Sequence, residues 1–331
     1  MIPLKIAGNG IYTPAQCVTS ADLDDRYGRE KGWTENKFGI KRRGVASAQE
    51  TSSFMGAKAA QIALAKAGWK AEEVDVIIGA CGVMEQPIPS TSVLIQQKLG
   101  IGSSGIPAFD VNLTCLSFLS AFDIAAMGIA CGRWKKALIV SSDIASAGLD
   151  YSAPEASSIF GDGAAAICLE ATDSRAGQGV LSQDFESYGD YSELAHLRAG
   201  GTKLRTSEGY DALVKGSHFH MDGFGIFKAA AKSLPALIDR VLHKAGQSRE
   251  SLDAVICHQA SRPAVEHIRR MFKSNPERVV NIFSDFGNQI ATSLPTTLSY
   301  ALDNGLVKAG NHVLLLGTAA GVSAGAMVIK V

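Results

Sequence analysis

The stretch KAGWKAEEVDVI at residues 66–77 returns later in the chain as KAGQSRESLDAV at residues 244–255. Gly68 and Gly246 are 178 residues apart, and the aspartates that follow them have the same separation. Each stretch is typical of a helix end, a glycine that stops the helix, and a strand. One fixed offset indicates an internal repeat, so the sequence predicts a duplicated fold. The alternative is that two unrelated units share a common Lys-Ala-Gly helix end.

Apolar runs alternate with helical stretches along the chain, which is the pattern of an α/β protein. Unbroken apolar runs suit strands buried on both faces, and such strands are predicted at residues 74–79, 137–141, 254–257 and 312–316. Helices are predicted at residues 53–67, 117–131, 227–245 and 292–304.

A turn-rich stretch at residues 171–177 lies where the two repeats would meet. We therefore expect an N-terminal half at residues 1–171 and a C-terminal half at residues 172–331. Residues 182–217 are irregular and polar, which is typical of a lid or a substrate-shaping segment, and equally of a partner surface.

Composition excludes several classes of protein. The 331 residues carry 32 Lys and Arg against 32 Asp and Glu, which argues against a general nucleic-acid binder. We find neither an apolar run long enough for a membrane helix nor a signal-peptide pattern, so we expect a cytoplasmic enzyme. The six cysteines are widely spread without a Cys-x-x-Cys pair, which argues against a disulfide framework and a zinc site.

Residues 109–118, FDVNLTCLSF, begin as a strand and continue into a long helix, with Cys115 at the turn between them. We expect the positive end of the helix dipole to lower the pKa of this thiol. The free amides of the first helical turn can also hold an oxyanion. The alternative is a cysteine that only packs at the start of a helix.

Two more candidates follow strands. His258 ends the apolar run 255–257, and catalytic groups collect beyond the carboxyl ends of strands in α/β sheets, although a core histidine is an equal alternative. Asn288 follows Gly287 between a strand and a helix, where a Gly-Asn pair is first of all a turn signal. His218 and His220 flank Phe219 on a predicted strand, so their side chains would share one face, but a zinc site there lacks an evident third ligand.

Taken in order, these motifs resemble the β-ketoacyl-ACP synthase III branch of the thiolase-fold condensing enzymes. That family has a Cys, His, Asn triad in this order, within His-Gln-Ala-Asn and Gly-Asn motifs. The corresponding residues here are His258-Gln259-Ala260-Ser261 and Gly287-Asn288. The resemblance covers nearly the whole chain, and its other motifs lie at residues 5–14, 33, 39–43, 160–165, 221–223, 227–228 and 317–325.

The resemblance implies a thiolase-like fold in which two duplicated βαβαβ-type halves form five layers, αβαβα. It implies an acyl-enzyme on Cys115, with an oxyanion hole made by the backbone N–H groups of Cys115 and Ala320. His258 and Asn288 would stabilise the enolate formed when a malonyl thioester loses CO₂. Acyl-CoA or acyl-ACP would supply the acyl group as a phosphopantetheine thioester, with no bound cofactor and no metal.

The resemblance also implies a homodimer and an acidic acyl carrier protein as partner. It assigns Trp33 to the wall of the pantetheine tunnel and Lys37, Lys228 and Arg262 to its mouth. The two lysines could equally be solvated surface charges, and Trp33 could be a packing residue.

Several positions depart from the family pattern: Ser261 replaces an asparagine, Pro263 an arginine, and Lys37 the tunnel arginine. These departures suit a paralogue with a different acyl pocket. Three functions stay open at this level. The first is a condensing enzyme that forms a C–C bond, and the second is an acyltransferase that passes the acyl group from Cys115 to an alcohol or amine, with His258 as base. The third, a catalytically silent partner subunit, is disfavoured by the intact triad.

Overall fold

The computed structural model describes the backbone of residues 1–331 and every side chain except that of Ser174. Its strands are β1 (Ile2–Tyr12), β2 (Gln16–Thr19), β3 (Arg42–Val45), β4 (Val76–Gly79), β5 (Ala108–Asp110), β6 (Lys136–Asp143), β7 (Gly163–Ala171), β8 (Gly179–Ser187), β9 (Ala195–His196), β10 (His220–Met221), β11 (Ala254–Cys257), β12 (Val279–Val280), β13 (His312–Ala319) and β14 (Ser323–Lys330). Its helices are α1 (Ser20–Tyr27), α2 (Trp33–Phe38), α3 (Ser52–Ala67), α4 (Thr91–Lys98), α5 (Ser117–Ala130), α6 (Pro154–Ser157), α7 (Tyr210–Gly216), α8 (Gly223–Ala245), α9 (Arg262–Met271), α10 (Phe283–Phe286) and α11 (Ser293–Asp303).

The main sheet repeats one topology in both halves of the chain. Within the described residues its strand order is β12-β11-β13-β14-β8-β1-β7-β6-β4-β5. In the N-terminal half, β1, β7 and β6 pair antiparallel, and β4 and β5 continue in parallel. In the C-terminal half, β8, β14 and β13 pair antiparallel, and β11 and β12 continue in parallel. This repeated order confirms the duplicated α/β fold.

Alternate side chains of each strand face different helix layers, because successive residues of a strand point to opposite sides. In β4, Val76 packs into a central cluster with α5 and α11, whereas Ile77 packs against α3 and α4. In β13, Leu315 packs into the same central cluster, whereas Leu314 packs against α8 and α9. Two strand layers therefore enclose α5 and α11 and are covered outside by helices, which is the predicted αβαβα arrangement.

The two glycines of the sequence repeat end corresponding helices. α3 begins after Thr51, whose side chain accepts a hydrogen bond from the first turn, and ends at Gly68 with φ 70°. α8 begins after Asp222, which caps it in the same way, and ends at Gly246 with φ 66°. A left-handed residue after a helix favours glycine, so a local signal fixes both helix ends.

Two predictions about local structure are wrong. β8 extends to Ser187, so the first part of the segment predicted to be irregular is a paired strand. Its polar residues Asp184 and Glu186 form ion pairs with Arg240 of α8, so the polar side chains of this strand have partners while its backbone pairs with β14. His218 lies outside β10 and does not share a strand with His220.

We searched the helices for a membrane span. Within the described residues, no helix combines the length and the apolar character that crossing a bilayer requires.

Candidate active site

Cys115 lies in a tight turn between β5 and α5. The turn is a short 3-10 helix at Thr114–Leu116, and Thr114 has a left-handed φ of 51°. The N–H of Thr114 donates to Oδ1 of Asn112 at 2.9 Å, and the N–H of Leu113 donates to Oγ of Ser117 at 2.9 Å. These local bonds hold the half-buried thiol at the start of α5, as the sequence predicted.

The electrostatics of the thiol differ from the prediction. Burial raises the pKa of Cys115 to about 12, and the negative charge of Asp143 acts in the same direction. The backbone N–H groups of Ala320 and of Cys115 itself lie against the sulfur and favour the thiolate, but they do not offset burial. The expectation of a lowered pKa is therefore wrong, because the sequence signal was the helix dipole alone and desolvation is the larger effect.

His258 directly follows β11 and is 7% exposed. Its N–H donates to the carbonyl of Leu316 in the neighbouring β13 at 2.8 Å, which fixes the backbone where β11 ends. Burial lowers the pKa of the imidazole to about 4, so His258 is neutral at pH 7 and carries one N–H. Among the described residues, its Nδ1 is a buried atom without a hydrogen-bond partner.

Asn288 is buried in the loop between α10 and α11, which corresponds in the C-terminal half to the turn that carries Cys115. Its Oδ1 accepts the N–H of Ile290 at 2.9 Å, and its Nδ2 donates to the carbonyl of Ala260 at 3.2 Å. Its backbone N–H donates to the carbonyl of Ile159 at 2.7 Å. These contacts fix the carboxamide, and the second N–H of its NH₂ group stays available to donate to a substrate.

Two glycines lie where the three loops come together. A Cβ added to Gly317 would lie 2.8 Å from Leu116 Cδ2 and 3.2 Å from His258 Cβ, so the nucleophile turn and His258 flank this residue. A Cβ added to Gly82 would clash with Ile290 and would lie 3.3 Å from the carbonyl oxygen of Thr114. The turn that carries Cys115 therefore lies close both to His258 and to the residues that follow Asn288.

Trp33 and Lys37 lie on α2 at the surface. The Trp33 ring packs edge-on against Tyr27 and Phe38, with centroids 6.2 and 5.4 Å away. The Nζ of Lys37 lies 4.8 Å from the centre of the Trp33 ring and forms an ion pair with Glu155 at 2.9 Å. The aromatic ring is therefore held by packing, with a cation beside it.

Arg262 contacts the same helix from the C-terminal half. Its Nη2 donates to the carbonyls of Asn36 at 2.8 Å and Lys37 at 3.0 Å, near the C-terminal end of α2. Lys228 is exposed on α8, which lies in the same outer helix layer as α9. The structure thus brings Arg262 and Lys37 together and leaves Lys228 nearby in the fold but without contact to either of them among the described interactions.

The departures near His258 have a structural role. Ser261 caps α9 by accepting the N–H three residues later at 3.3 Å, and Pro263 lies in the first turn of that helix. Serine at the cap and proline in the first turn both favour helix initiation.

Within the described residues, no three His, Cys, Asp or Glu side chains are grouped closely enough to hold a metal ion.

The sequence analysis missed Asp143, which ends β6 and is fully buried. Its carboxylate accepts the N–H groups of Gly82 and Val83, and both the N–H and the hydroxyl of Thr292. Burial raises its pKa to about 6. The available signal was its location at the carboxyl end of a strand, the same signal that pointed to His258.

Comparison with known proteins identifies the family. The family model of 3-oxoacyl-[acyl-carrier-protein] synthase III matches residues 109–189, and the model of its C-terminal part matches residues 242–331. Beta-ketoacyl-[acyl-carrier-protein] synthase III of Neisseria meningitidis is 33% identical over 327 residues, 98% of each chain. The protein of that name from Rhodospirillum centenum is 33% identical over 333 residues, 99% of this chain and 100% of the other.

Solved structures agree with the family models. The crystal structure of 3-oxoacyl-[acyl-carrier-protein] synthase III from Aquifex aeolicus has a TM-score of 0.89 and 30% identity, covering 99% of this chain and 100% of the other. A variant of OleA from Xanthomonas campestris, at 22% identity and a TM-score of 0.85, covers 99% of this chain and 98% of the other and shares the fold. The likeness runs through both halves, so this protein is a thiolase-fold condensing enzyme of the transferase class. It belongs to the β-ketoacyl-[acyl-carrier-protein] synthase III family.

Proposed function

We propose that this protein joins an acyl group held on Cys115 to a malonyl thioester by decarboxylative Claisen condensation. The observation that carries the proposal is that three loops meet around Gly82 and Gly317. These loops bear Cys115, His258 and Asn288. Its relatives are named as synthases that act with acyl carrier protein, so carrier-protein and CoA thioesters are the proposed substrates and fatty-acid synthesis the proposed pathway.

In the first step, the sulfur of Cys115 attacks the carbonyl of an acyl thioester, and the C–S bond to pantetheine breaks. Because the pKa of Cys115 is about 12, the proton must leave as the new bond forms. His258, neutral above a pKa of about 4, accepts that proton and returns it to the departing pantetheine thiolate. The N–H groups of Cys115 and Ala320 are proposed to hold the carbonyl oxygen as it becomes negative.

In the second step, a malonyl thioester loses CO₂ and leaves an enolate whose charge lies on the thioester oxygen. The N–H of neutral His258 and the free Nδ2 hydrogen of Asn288 are the proposed donors, each worth about 3 to 4 kcal/mol. The enolate carbon then attacks the acyl group. The bond to Cys115 breaks, and the sulfur leaves as a thiolate that takes a proton from solvent.

The test uses a panel of acyl-CoAs with malonyl-ACP and measures CO₂ together with the 3-oxoacyl product. Condensation predicts one CO₂ for each new C–C bond. Transfer of the acyl group to an added alcohol or amine, without CO₂ release and without a 3-oxoacyl product, would replace this proposal with the acyltransferase function.

We propose that the carrier protein docks on the surface that contains Trp33, Lys37, Lys228 and Arg262. Two observations support this proposal. Arg262 contacts α2, and the exposed cation Lys228 lies on α8, in the same outer helix layer as α9, which carries Arg262. Lys228→Glu should raise KM for malonyl-ACP more than KM for malonyl-CoA, because only the carrier is an acidic protein. Lys58→Glu on α3 is the matched control, and an equal effect of both variants would contradict the docking site.

We propose a homodimer that forms at the β5 edge of the sheet. Within the described residues, β5 pairs on one side only. The segment between β4 and β5 exposes Met84, Val93 and Ile88, the last at 85%. Apolar surface beside an open strand edge is typical of an interface. Light scattering should give twice the chain mass of 34.8 kDa, and a clean monomer would contradict the proposal.

Two further expectations are carried forward as proposals. The boundary between the halves is proposed between residues 171 and 172, where β7 ends and the connection to β8 begins. A cytoplasmic location is also proposed, which suits exposed unpaired thiols such as Cys17 and Cys131. Fluorescence microscopy of a tagged protein in its native cell tests the location.

A further inference from the structure

Asp143 takes no part in the reaction steps above, yet its carboxylate lies between the loops that carry the reacting groups. The side chain is fully buried. Its Oδ1 accepts the N–H groups of Gly82 and Val83, each at 2.8 Å. Its Oδ2 accepts the N–H of Thr292 at 3.1 Å and the Thr292 hydroxyl at 3.0 Å. Four donors on one buried carboxylate make a strong and directional anchor.

The two sets of donors belong to different halves of the chain. Gly82 follows β4 and lies against the carbonyl of Thr114, the residue before Cys115. Thr292 ends the short 3-10 helix that begins at Ile290, directly after the Asn288 loop. One carboxylate therefore links the loop at Gly82, which lies against the nucleophile turn, to the loop that bears the proposed enolate donor.

The charge of Asp143 also reaches the thiols around it. After burial, it is the largest cause of the raised pKa of both Cys115 and Cys81. The carboxylate of Asp110 acts on Cys81 in the same direction. The imidazole of His258 is uncharged above pH about 4, so it does not compensate this negative charge at neutral pH.

We propose that Asp143 is a positioning residue for the condensation. It holds the loops of Cys115 and Asn288 together, and its charge adds to burial in keeping the unloaded nucleophile in the thiol form. The thiolate is the form that alkylating agents and oxidants attack, so the resting enzyme is protected. A bound thioester still reacts, because His258 removes the proton during the attack. The inference rests on Cys115 being the nucleophile.

The test is the rate at which iodoacetamide alkylates Cys115 between about pH 5 and about pH 9, with the modified peptide identified by mass spectrometry. In this reaction the sulfur displaces iodide, and the thiol proton goes to solvent. The logarithm of the wild-type rate should rise with pH, level off near pH 6 as Asp143 ionises, and rise again. The level region appears because the new negative charge lowers the thiolate fraction.

Asp143→Asn keeps the size of the side chain and removes its charge. The level region should disappear, and the rate at about pH 8 should exceed that of the wild type about tenfold, the factor that one pKa unit produces. At about pH 5 the two rates should agree within about twofold, because Asp143 is then protonated in the wild type. A purely structural role would change the rate by the same factor at both pH values.

Thr292→Val is the second variant and keeps the charge of Asp143 while it removes one donor. The carboxylate then ionises less readily, so the level region should move to higher pH. This variant and the wild-type profile decide the matter even if Asp143→Asn does not fold. A wild-type profile without a level region, or one that Thr292→Val leaves in place, would overturn the inference.

The same mass-spectrometric runs separate this inference from the proposed function. The wild type is also incubated with acyl-CoA before digestion. An acyl group on Cys115 without the level region in the alkylation profile means that the role of Asp143 is wrong and the nucleophile is right. An acyl group on another residue means that the proposed function itself is wrong.

Discussion

Thr114 and Ile290 have the same left-handed backbone conformation, with φ of 51° and 54°, at positions 176 residues apart. The N–H of each donates at 2.9 Å to the side chain of an asparagine two residues earlier, Asn112 in one half and Asn288 in the other. This conformation is strained for a β-branched residue, so the hydrogen bonds around it must hold the turn. One duplicated turn thus presents Cys115 in the first half and the proposed enolate donor in the second.

A serine closes each copy of this turn, which gives a matched pair of variants. Ser117 accepts the N–H of Leu113 at 2.9 Å, and Ser293 accepts the N–H of Gln289 at 3.0 Å. Ser117→Ala should slow acylation of the enzyme, whereas Ser293→Ala should slow CO₂ release by the pre-acylated enzyme. Each change should lower the free energy of unfolding by about 1 to 3 kcal/mol, because a buried amide loses its partner. Rapid-quench kinetics measure both steps, and the same slow step in both variants would contradict the separate roles.

Cys115→Ala should fold normally and take up no acyl group. The substitution removes one sulfur atom from a half-buried position and leaves the hydrogen bonds of the turn in place. Intact-protein mass spectrometry after incubation with acyl-CoA measures the adduct. Cys131→Ala, at an exposed cysteine, is the control and should be acylated like the wild type. An acyl adduct that survives in Cys115→Ala would identify a different nucleophile.

Asn288→Ala should separate the two steps of the reaction. It removes the proposed donor to the enolate but leaves the N–H groups at Cys115 and Ala320 intact. CO₂ release should therefore fall about 10²- to 10³-fold while the acyl-enzyme still forms. Asn304→Ala, at an exposed asparagine of the same half, is the control and should change neither rate. Loss of acylation in Asn288→Ala with unchanged CO₂ release would reverse the assignment of the two oxyanion sites.

His258 should make stability depend on pH. Burial lowers its pKa from 6.5 to about 4, so between these values the unfolded chain binds a proton that the folded chain does not. The free energy of unfolding should therefore be constant above about pH 6.5 and should fall as the pH drops towards about 4. The loss for this one group should be about 3 kcal/mol.

Urea denaturation of the wild type and of His258→Gln measures this effect. The stability difference, wild type minus variant, should decrease by about 2 to 3 kcal/mol between about pH 7.5 and about pH 4. Asp143 has a raised pKa and acts in the opposite sense, but it is present in both proteins and cancels in the difference. A difference that does not change with pH would mean that His258 is not buried in neutral form.

Gly317→Ala should disturb the reaction more than the fold. The new methyl group would lie 2.8 Å from Leu116 Cδ2 and 3.2 Å from His258 Cβ, so the Leu116 side chain and His258 must both shift. Stability should fall by about 1 to 3 kcal/mol, a usual cost of overpacking. The rate of acylation should fall further than this loss of stability explains. Gly189→Ala, where a Cβ meets nothing within 4 Å, should have no effect on either quantity.

The candidate site could be proposed from the sequence where its residues carry a local signal. Cys115 precedes a helix, and His258 directly follows an apolar strand, so neighbouring residues were enough to make both of them candidates. Asn288 had only a turn signal, and the family motif around it was needed to raise it above a simple loop residue. Arg262 is proposed to lie at the carrier surface, and its guanidinium also donates to two carbonyls at the end of α2, a contact that no local pattern could indicate.

The amino-acid sequence by itself determined the duplicated α/β fold and the order of the three candidate side chains. Helix stops such as Gly68 and Gly246, and the apolar runs after them, act over a few residues and need no partner to be recognised. The tertiary structure decided the chemistry of those side chains. The pKa of Cys115 and the anchoring of Thr292 both depend on Asp143, which lies 149 residues before Thr292. Burial and the approach of charges that are distant in sequence arise only when the chain packs, so they are properties of the folded chain.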